Sequence, residues 1–434
     1  MKYSGVEWIG EIPDKWNLVR LKDICINKKE VAGEKSSEYE RLALTLNGVI
    51  KRPKDDQEGL QPKEFDTYQL LEENDFVFKM IDLQNISTSR VGLSPYTGLV
   101  SPAYIRFASK KKGQFNEFIH YYLLSLWHNC VYNNIAGDGV RSALNATDMG
   151  ELKCPYPTEE QQRKIAGFLN KKTAEIDSLI DIENQQIEKL KEYKQAVITE
   201  AVTKGLDKNV LLKDSGVEWI GEIPVKWKCT PNKFLFQNGN GSLRIGPFGS
   251  SLRGKTLENG PYKIYNQAHL VSNDFSLNRH FISNETYEEL KAYEVLPDDI
   301  LFSMMGTIGK CRIMPPGFQK GIMDSHLLKA RLNELILPKY YLYVFDKDMS
   351  SCVISQLRYL SNGSIMDGLN STIVKKVYIP LPSIDEQKEI ISFLDEKCSE
   401  IDTLISIKQK KIDYLIEYKK SLIYEYVTGK KEVC

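Results

Sequence analysis

The chain lacks long apolar runs, paired cysteines and histidine clusters, and each absence excludes a class of protein. None of its apolar runs approaches the roughly 20 residues that a membrane span needs. The opening MKYSGVEWIGE has no apolar secretory core. The eight cysteines (25, 130, 154, 229, 311, 352, 398, 434) form no C-x-x-C pair. That speaks against a zinc site and a disulfide framework, and a cytoplasmic location is expected. The five histidines (120, 128, 269, 280, 326) show no metal-ligand spacing, so no metal is expected. Net charge is also missing, with 58 basic and 58 acidic residues. What remains is 434 residues, 42% hydrophobic and 27% charged, a soluble composition long enough for about three domains.

What the chain does have is repetition, which is read before anything else. SGVEWIGEIPDKW (4–16) returns as SGVEWIGEIPVKW (215–227), differing only at Asp14 and Val225. PYPTEEQQRKIAGFLNKKTAEIDSLIDIENQQIEKLKEYKQAVITEAVT (155–203) aligns without a gap to 380–428. The intervening segments, 17–154 and 228–379, share little wording. The layout is therefore variable, fixed, variable, fixed.

The fixed blocks read as long helices. Thr158 with Gln161, and Ser383 with Glu386, fit capping boxes at their starts. An apolar seam in steps of three and four follows. In the first copy it is Ile176, Ile180, Glu183, Ile187, Leu190, Lys194, Val197, Ala201; in the second, Ile401, Ile405, Lys408, Ile412, Leu415, Lys419, Leu422, Tyr426. Such a stripe faces one partner helix, and the polar breaks at matching positions can set register. The variable blocks read as mixed α/β. Residues 74–78 and 297–302 look like a turn entering a strand, and 115–131 and 339–360 look helical. Segment 228–379 carries a net charge of +5 while 17–154 is neutral, so the basic excess lies in a variable block, where nucleic-acid contacts would be made.

The twice-used GVEWIGEIP, the P-x-P exit strand, the E-Q helix start, the F-L-N/D-x-K-x-x-E-I-D core and the L-x-E-Y-K-x-x-L/V-I finish together resemble the specificity subunit of type I restriction–modification enzymes, over the whole chain. The resemblance implies two target-recognition domains, each reading half of a split double-stranded DNA site. They are joined by two conserved helices in an antiparallel coiled coil that acts as spacer and docks two modification subunits. The boundaries would be 1–154 (recognition, lead-in 4–16), 155–213 (spacer helix), 214–379 (recognition, lead-in 215–227) and 380–434 (spacer helix). The chain itself would be non-catalytic and cofactor-free. S-adenosylmethionine would belong to the modification subunits, and ATP and Mg to motor–nuclease restriction subunits. About 30 coiled residues give roughly 45 Å, or about 13 base pairs, a suitable spacer between half-sites about one helical turn apart. Each lead-in follows a spacer helix in the cyclic sense, so the two ends of the chain should meet, with Val6, Trp8, Ile9, Ile12 and Trp16 anchoring the helix base.

Candidate DNA contacts are the basic cluster Lys51, Arg52 and Lys54, then Gln84, Asn85, Ser87 and Arg90, and Arg141 with Ser142 in a G-x-G-V-R loop. The second block offers Ser250, Ser251, Arg253 and Lys255 in GPFGSSLRGKT, Thr307 and Lys310 in MMGTIGK, and Asn362 with Ser364. Arg141 suits guanine and Asn362 adenine; the hydroxyls and lysines suit phosphates. The alternative to all of these is ordinary polar turns, and the alternative function is a coiled-coil adaptor that binds protein. Two motifs mislead. GSSLRGKT (249–256) spells a phosphate loop, but polar, glycine-rich sequence precedes it and a turn and strand follow, where nucleotide binding needs strand then helix. SPAY (101–104) falls short of an amino-methyltransferase motif at its alanine.

Overall fold

The computed structural model describes residues 1–434 except 57–63, 82, 84–89, 112, 136–142, 240, 278–279, 306–308, 347, 362–368 and 434. It forms two compact units, 1–183 with 410–434, and 184–409. The division falls inside both long helices, Glu159–Lys204 and Ile384–Val427, so each unit contains the start of one and the end of the other.

The two variable blocks fold alike despite their different wording. In the first unit one sheet runs Gly48–Arg52, Arg41–Thr45, Gly98–Val100, Gln69–Leu71, and the other Cys25–Asn27, Ile105–Ser109, Phe76–Lys79, Arg90–Leu93. In the second the corresponding orders are Phe281–Ile282, Tyr262–Tyr265, Gly321–Met323, Glu294–Val295 and Leu243–Ile245, Leu327–Ala330, Ile300–Ser303, Cys311–Ile313. Even the parallel pair recurs, Arg41–Thr45 with Gly98–Val100 and Tyr262–Tyr265 with Gly321–Met323. The P-x-P segments are exit strands, Lys153–Tyr156 on Asn17–Arg20 and Tyr378–Leu381 on Lys228–Pro231.

Both capping boxes form. Thr158 N donates to Gln161 Oε1 at 3.3 Å and Gln161 N to Thr158 Oγ1 at 3.4 Å. Ser383 N donates to Glu386 Oε2 at 3.0 Å and Glu386 N to Ser383 Oγ at 3.3 Å. The next glutamine explains the recurrent E-Q wording, because buried Gln162 and Gln387 donate to the carbonyls of Pro157 and Pro382. Every seam position is buried or half-buried. Within the first unit Lys419 pairs with Asp177 at 2.6 Å and Lys411 with the buried Glu183 at 2.5 Å. Within the second, Lys194 pairs with Asp402 at 2.7 Å and Lys408 donates to Gln186. Partner numbers rise along one helix as they fall along the other, so the pairing is antiparallel in each unit, and each polar break in the seam has a cross-helix partner.

The lead-ins seal the helix ends. Val6, Ile9, Ile12 and Trp16 share a core with Ile165, Leu169, Leu422, Ile423 and Val427. Trp8 is half-buried, and its Nε1 donates to Tyr122 Oη at 3.4 Å while its carbonyl accepts from Tyr424 Oη at 3.3 Å. In the second unit Ile220, Ile223 and Trp227 meet Ile198, Val202, Ile390 and Leu394. Gly205 and Gly429 end the helices at φ 75° and 71°, the left-handed closure that favours glycine. Trp227 and Pro224 crowd the first, and Pro13 and Trp16 the second. The residues after the second long helix thus touch the N-terminal lead-in, as the cyclic reading expects.

Asn74 and Asp298, each at φ 67°, turn the chain into the expected strands. One expectation needs correcting. The stretch 339–360 is two helices, Pro338–Phe345 and Ile354–Leu360. Between them the buried Asp346 accepts from Cys311 N at 2.9 Å and Arg312 Nη1 at 2.6 Å, tertiary bonds that outweigh helix continuation. Likewise 115–131 contains the helix Glu117–His128, which ends before Cys130 at φ 54°.

Two histidines on Glu117–His128 predict acid sensitivity. His120 Nε2 and His128 Nδ1 are shut from solvent without a hydrogen-bond partner. Burial pulls both down to about 4, helped at His128 by Lys420 and Lys419 against Glu417. Both are therefore neutral when folded but titrate near 6.5 when unfolded. Because the folded value is the depressed one, their contribution is full above about pH 6.5 and is lost as pH falls toward 4. The first unit should lose roughly 1–3 kcal/mol per histidine across that window. Calorimetry from pH 7 to 4.5 tests this: a His120→Leu/His128→Leu chain should show a flatter unfolding temperature than wild type, and equal slopes would refute the assignment.

Candidate nucleic-acid interface

In each unit an Asp–Arg pair sets the strand that leads to the candidate surface. Asp75 Oδ2 accepts from Glu72 N at 3.0 Å, and Asp299 Oδ2 from Leu296 N at 2.9 Å, closing equivalent turns. Arg106 reaches Asp75 at 2.5 Å, and Arg331 reaches Asp299 at 2.7 Å. Burial pushes the Asp75 carboxyl up, and Arg106 opposes that. At the far ends of the strands Phe76–Lys79 and Ile300–Ser303 the match continues. Met80 O accepts from Leu144 N at 3.1 Å, and Met304 O from Leu369 N at 2.8 Å. Asn145 and Asn370 then cap the short helices Ala146–Glu151 and Ser371–Lys376 that lead to the exit strands.

Beside this edge in the first unit is a groove of about 260 Å³, lined by Asn27, Lys28, Lys29, Ile81, Ala103 and Asn145 among others. Lys28 and Lys29 were not among the candidates named from the sequence, and Lys28 is already paired with Glu30 at 2.9 Å. A second groove of about 540 Å³ brings together Lys51, Arg52 and Lys54 with Arg41. Two are paired with acids, Lys51 with Glu40 at 2.6 Å and Arg52 with Asp56 at 3.2 Å, while Lys54 donates to the Ser36 carbonyl at 2.7 Å. Arg90 is half-buried at a strand start opposite Lys79. Gln84, Asn85, Ser87, Arg141, Ser142, Thr307, Asn362 and Ser364 lie outside the described residues.

In the second unit the turn at Asp324–His326 gathers three segments. Gly246 lies so close to the Asp324 carbonyl that a side chain could not fit. This lays the helical turn Gly249–Leu252, with Ser250 and Ser251, against Ser325. Met304 N donates to His326 O at 3.1 Å, and Gln267 Nε2 to Met305 O at 2.7 Å. Phe248, 83% exposed, and His326 also stand here; neither was singled out as a contact in the sequence. Arg253 is exposed just beyond the helical turn. Lys255 turns to Glu289, and Lys310 to Asp348 at 2.9 Å. GSSLRGKT turns at its own Gly254, at φ 73°, and the chain then runs to a bridge at Leu257 and the strand Tyr262–Tyr265. No helix N-terminus follows to cradle a phosphate.

Among the described residues no group of His, Cys, Asp and Glu could hold a metal ion, and no helix is long and apolar enough to cross a membrane. Burial pushes the thiols of Cys25, Cys229 and Cys352 up to about 12, which leaves these three chemically quiet.

Comparison with known proteins agrees with this architecture. The family model of the type I restriction modification DNA specificity domain matches residues 13–192 and 247–415. The type I restriction enzyme MjaVIII specificity subunit of Methanocaldococcus jannaschii is 25% identical over 434 residues, covering 97% of this chain and 94% of that protein. The type I restriction enzyme EcoBI specificity subunit of Escherichia coli is 23% identical over 300 residues, covering 68% and 61%. A chain solved in work on complex assembly and conformational transition of the type I R-M system superposes with a TM-score of 0.65 at 14% identity, covering 97% of this chain and 100% of that one, so the fold is shared. The chain belongs to the type I restriction modification DNA specificity family. It is a DNA-specificity component, and the catalytic activities of such systems lie on other subunits.

Proposed function

We propose that the chain reads a bipartite double-stranded DNA site, one half-site per recognition block (1–154 and 214–379), and that the spacer helices (155–213 and 380–434) set the gap. The observation that carries this reading is the repeated strand order and the repeated Asp–Arg and Met–Leu brackets in blocks whose exposed residues differ. One scaffold used twice with different surfaces suits two different half-sites. Phosphates would be met by Lys29, Lys51, Lys54, Arg253 and Lys255, the last with Ser250 and Ser251; exposed acids that pair with lysines now would release them to the backbone. Arg52, Arg90, Lys310 and the loop residues Gln84, Asn85, Ser87, Arg141, Ser142, Thr307, Asn362 and Ser364 complete the candidate set.

The helices also leave apolar residues exposed beside the seam: Leu179, Ile182, Tyr414 and Tyr418 in the first unit, and Tyr193, Leu404 and Ile407 in the second. These suit docking of two modification subunits, which would carry S-adenosylmethionine. Restriction subunits would bring ATP and magnesium, all within the cytoplasm. The test is selection from a random duplex pool by the assembled complex, repeated at rising salt. Two short half-sites at one fixed gap are expected, with affinity falling steeply as salt displaces phosphate contacts. No enrichment, with salt-insensitive binding to partner subunits, would favour a protein-binding adaptor.

A further inference from the structure

Ile81 and Met305 occupy equivalent places in the two units. Each follows the strand fixed by the Asp–Arg pair and directly follows the methionine whose carbonyl takes the Leu144 or Leu369 amide. Both are exposed, Ile81 by 44% and Met305 by 54%. Single exposed apolar side chains are ordinary on protein surfaces. The same kind of side chain at the same point of two blocks that share little sequence is not. Both are also held from behind. Ile81 is bridged to Ala143, and the Met305 carbonyl accepts from Gln267. Lys28, Lys29 and Asn145 line the groove beside Ile81 together with the apolar Met80, Pro102, Ala103 and Leu144, and His326, whose carbonyl accepts from Met304 N, stands beside Met305.

A braced apolar tip at an exposed edge matches one feature of duplex DNA. The major groove presents donors and acceptors at every base pair, but an apolar group only at the 5-methyl of thymine. We propose that Ile81 and Met305 are specificity-determining residues, each packing on a thymine methyl in the half-site read by its own unit. The proposal rests on the half-site reading above.

The complex of full-length chain and modification subunits first defines its two half-sites by selection. Each thymine is then replaced by uracil, which lacks only the methyl. One replacement in each half-site should weaken binding by about fourfold, the effect of roughly one buried methyl group. Met305→Ala should abolish that sensitivity in one half-site and Ile81→Ala in the other, each leaving the opposite half-site unchanged. Met305→Leu and Ile81→Val should retain it. If the alanine variants keep the wild-type thymine-over-uracil ratio, or if no thymine methyl matters, the inference is overturned while two enriched half-sites leave the proposed function standing. If no half-sites are enriched at all, both fall.

Discussion

Arg106→Ala is expected to cost the first unit roughly 3–5 kcal/mol, the typical effect of removing one member of a buried ion pair. The Arg106 side chain is fully buried and Asp75 nearly so, and Arg106 also donates to Leu70 O and pairs with Glu72 at 3.2 Å. Without it, Asp75 is a desolvated carboxylate left with the Glu72 amide as its hydrogen-bond donor. Burial already pushes this carboxyl up, and loss of the guanidinium removes the opposing pull. The carboxyl would therefore bind its proton more tightly in the folded variant than in the unfolded chain. The variant's deficit should be largest near neutral pH and shrink as pH falls through the raised value. Urea unfolding at pH 7 and pH 5.5 checks both magnitude and sign. Arg106→Met with Asp75→Leu should recover much of the loss, since an apolar pair replaces both charges. Arg331→Ala provides the internal comparison. Arg331 is 33% exposed, so water can solvate the site and the loss should be smaller. Equal losses in the two units would contradict the role assigned to burial.

Inserting seven residues into one long helix alone is expected to abolish recovery of the assembled complex. Inserting seven into both should preserve assembly and lengthen the gap between half-sites. A one-sided insertion slides Glu183 and Lys194 away from Lys411 and Asp402. The buried Glu183 would then face an apolar seam position without a counter-charge, on top of the lost apolar register. A balanced insertion restores every cross-helix pair. It adds about 10 Å of helix, close to three base pairs at about 3.4 Å each. Random-pool selection measures the gap directly. An unchanged gap after balanced insertion would defeat the ruler, and a one-sided insertion that assembles normally would defeat the register argument.

The sequence by itself determined the parts that are local or periodic. Capping boxes span four residues, the seam repeats every three or four, and the lead-ins recur almost verbatim, so helices, caps and the duplicated layout were all legible, while the antiparallel pairing came only as what the family resemblance implied. The turns at Asn74 and Asp298 were legible for the same reason. Only the tertiary structure decided what depends on residues far apart in the chain. It decided that 17–154 and 228–379 share a strand order, because the pairs that carry it, Asp75 with Arg106 and Asp299 with Arg331, are separated by 31 and 32 positions within unlike wording. It broke the 339–360 helix because Asp346 bonds to a strand 35 positions away. It also showed that Lys51, Lys255 and Lys310 already face acids, and that Ile81 and Met305 stand at one equivalent point. Side-chain partners across a sheet carry no period in sequence, so hydrophobic patterning and local propensity leave them unwritten until the chain folds.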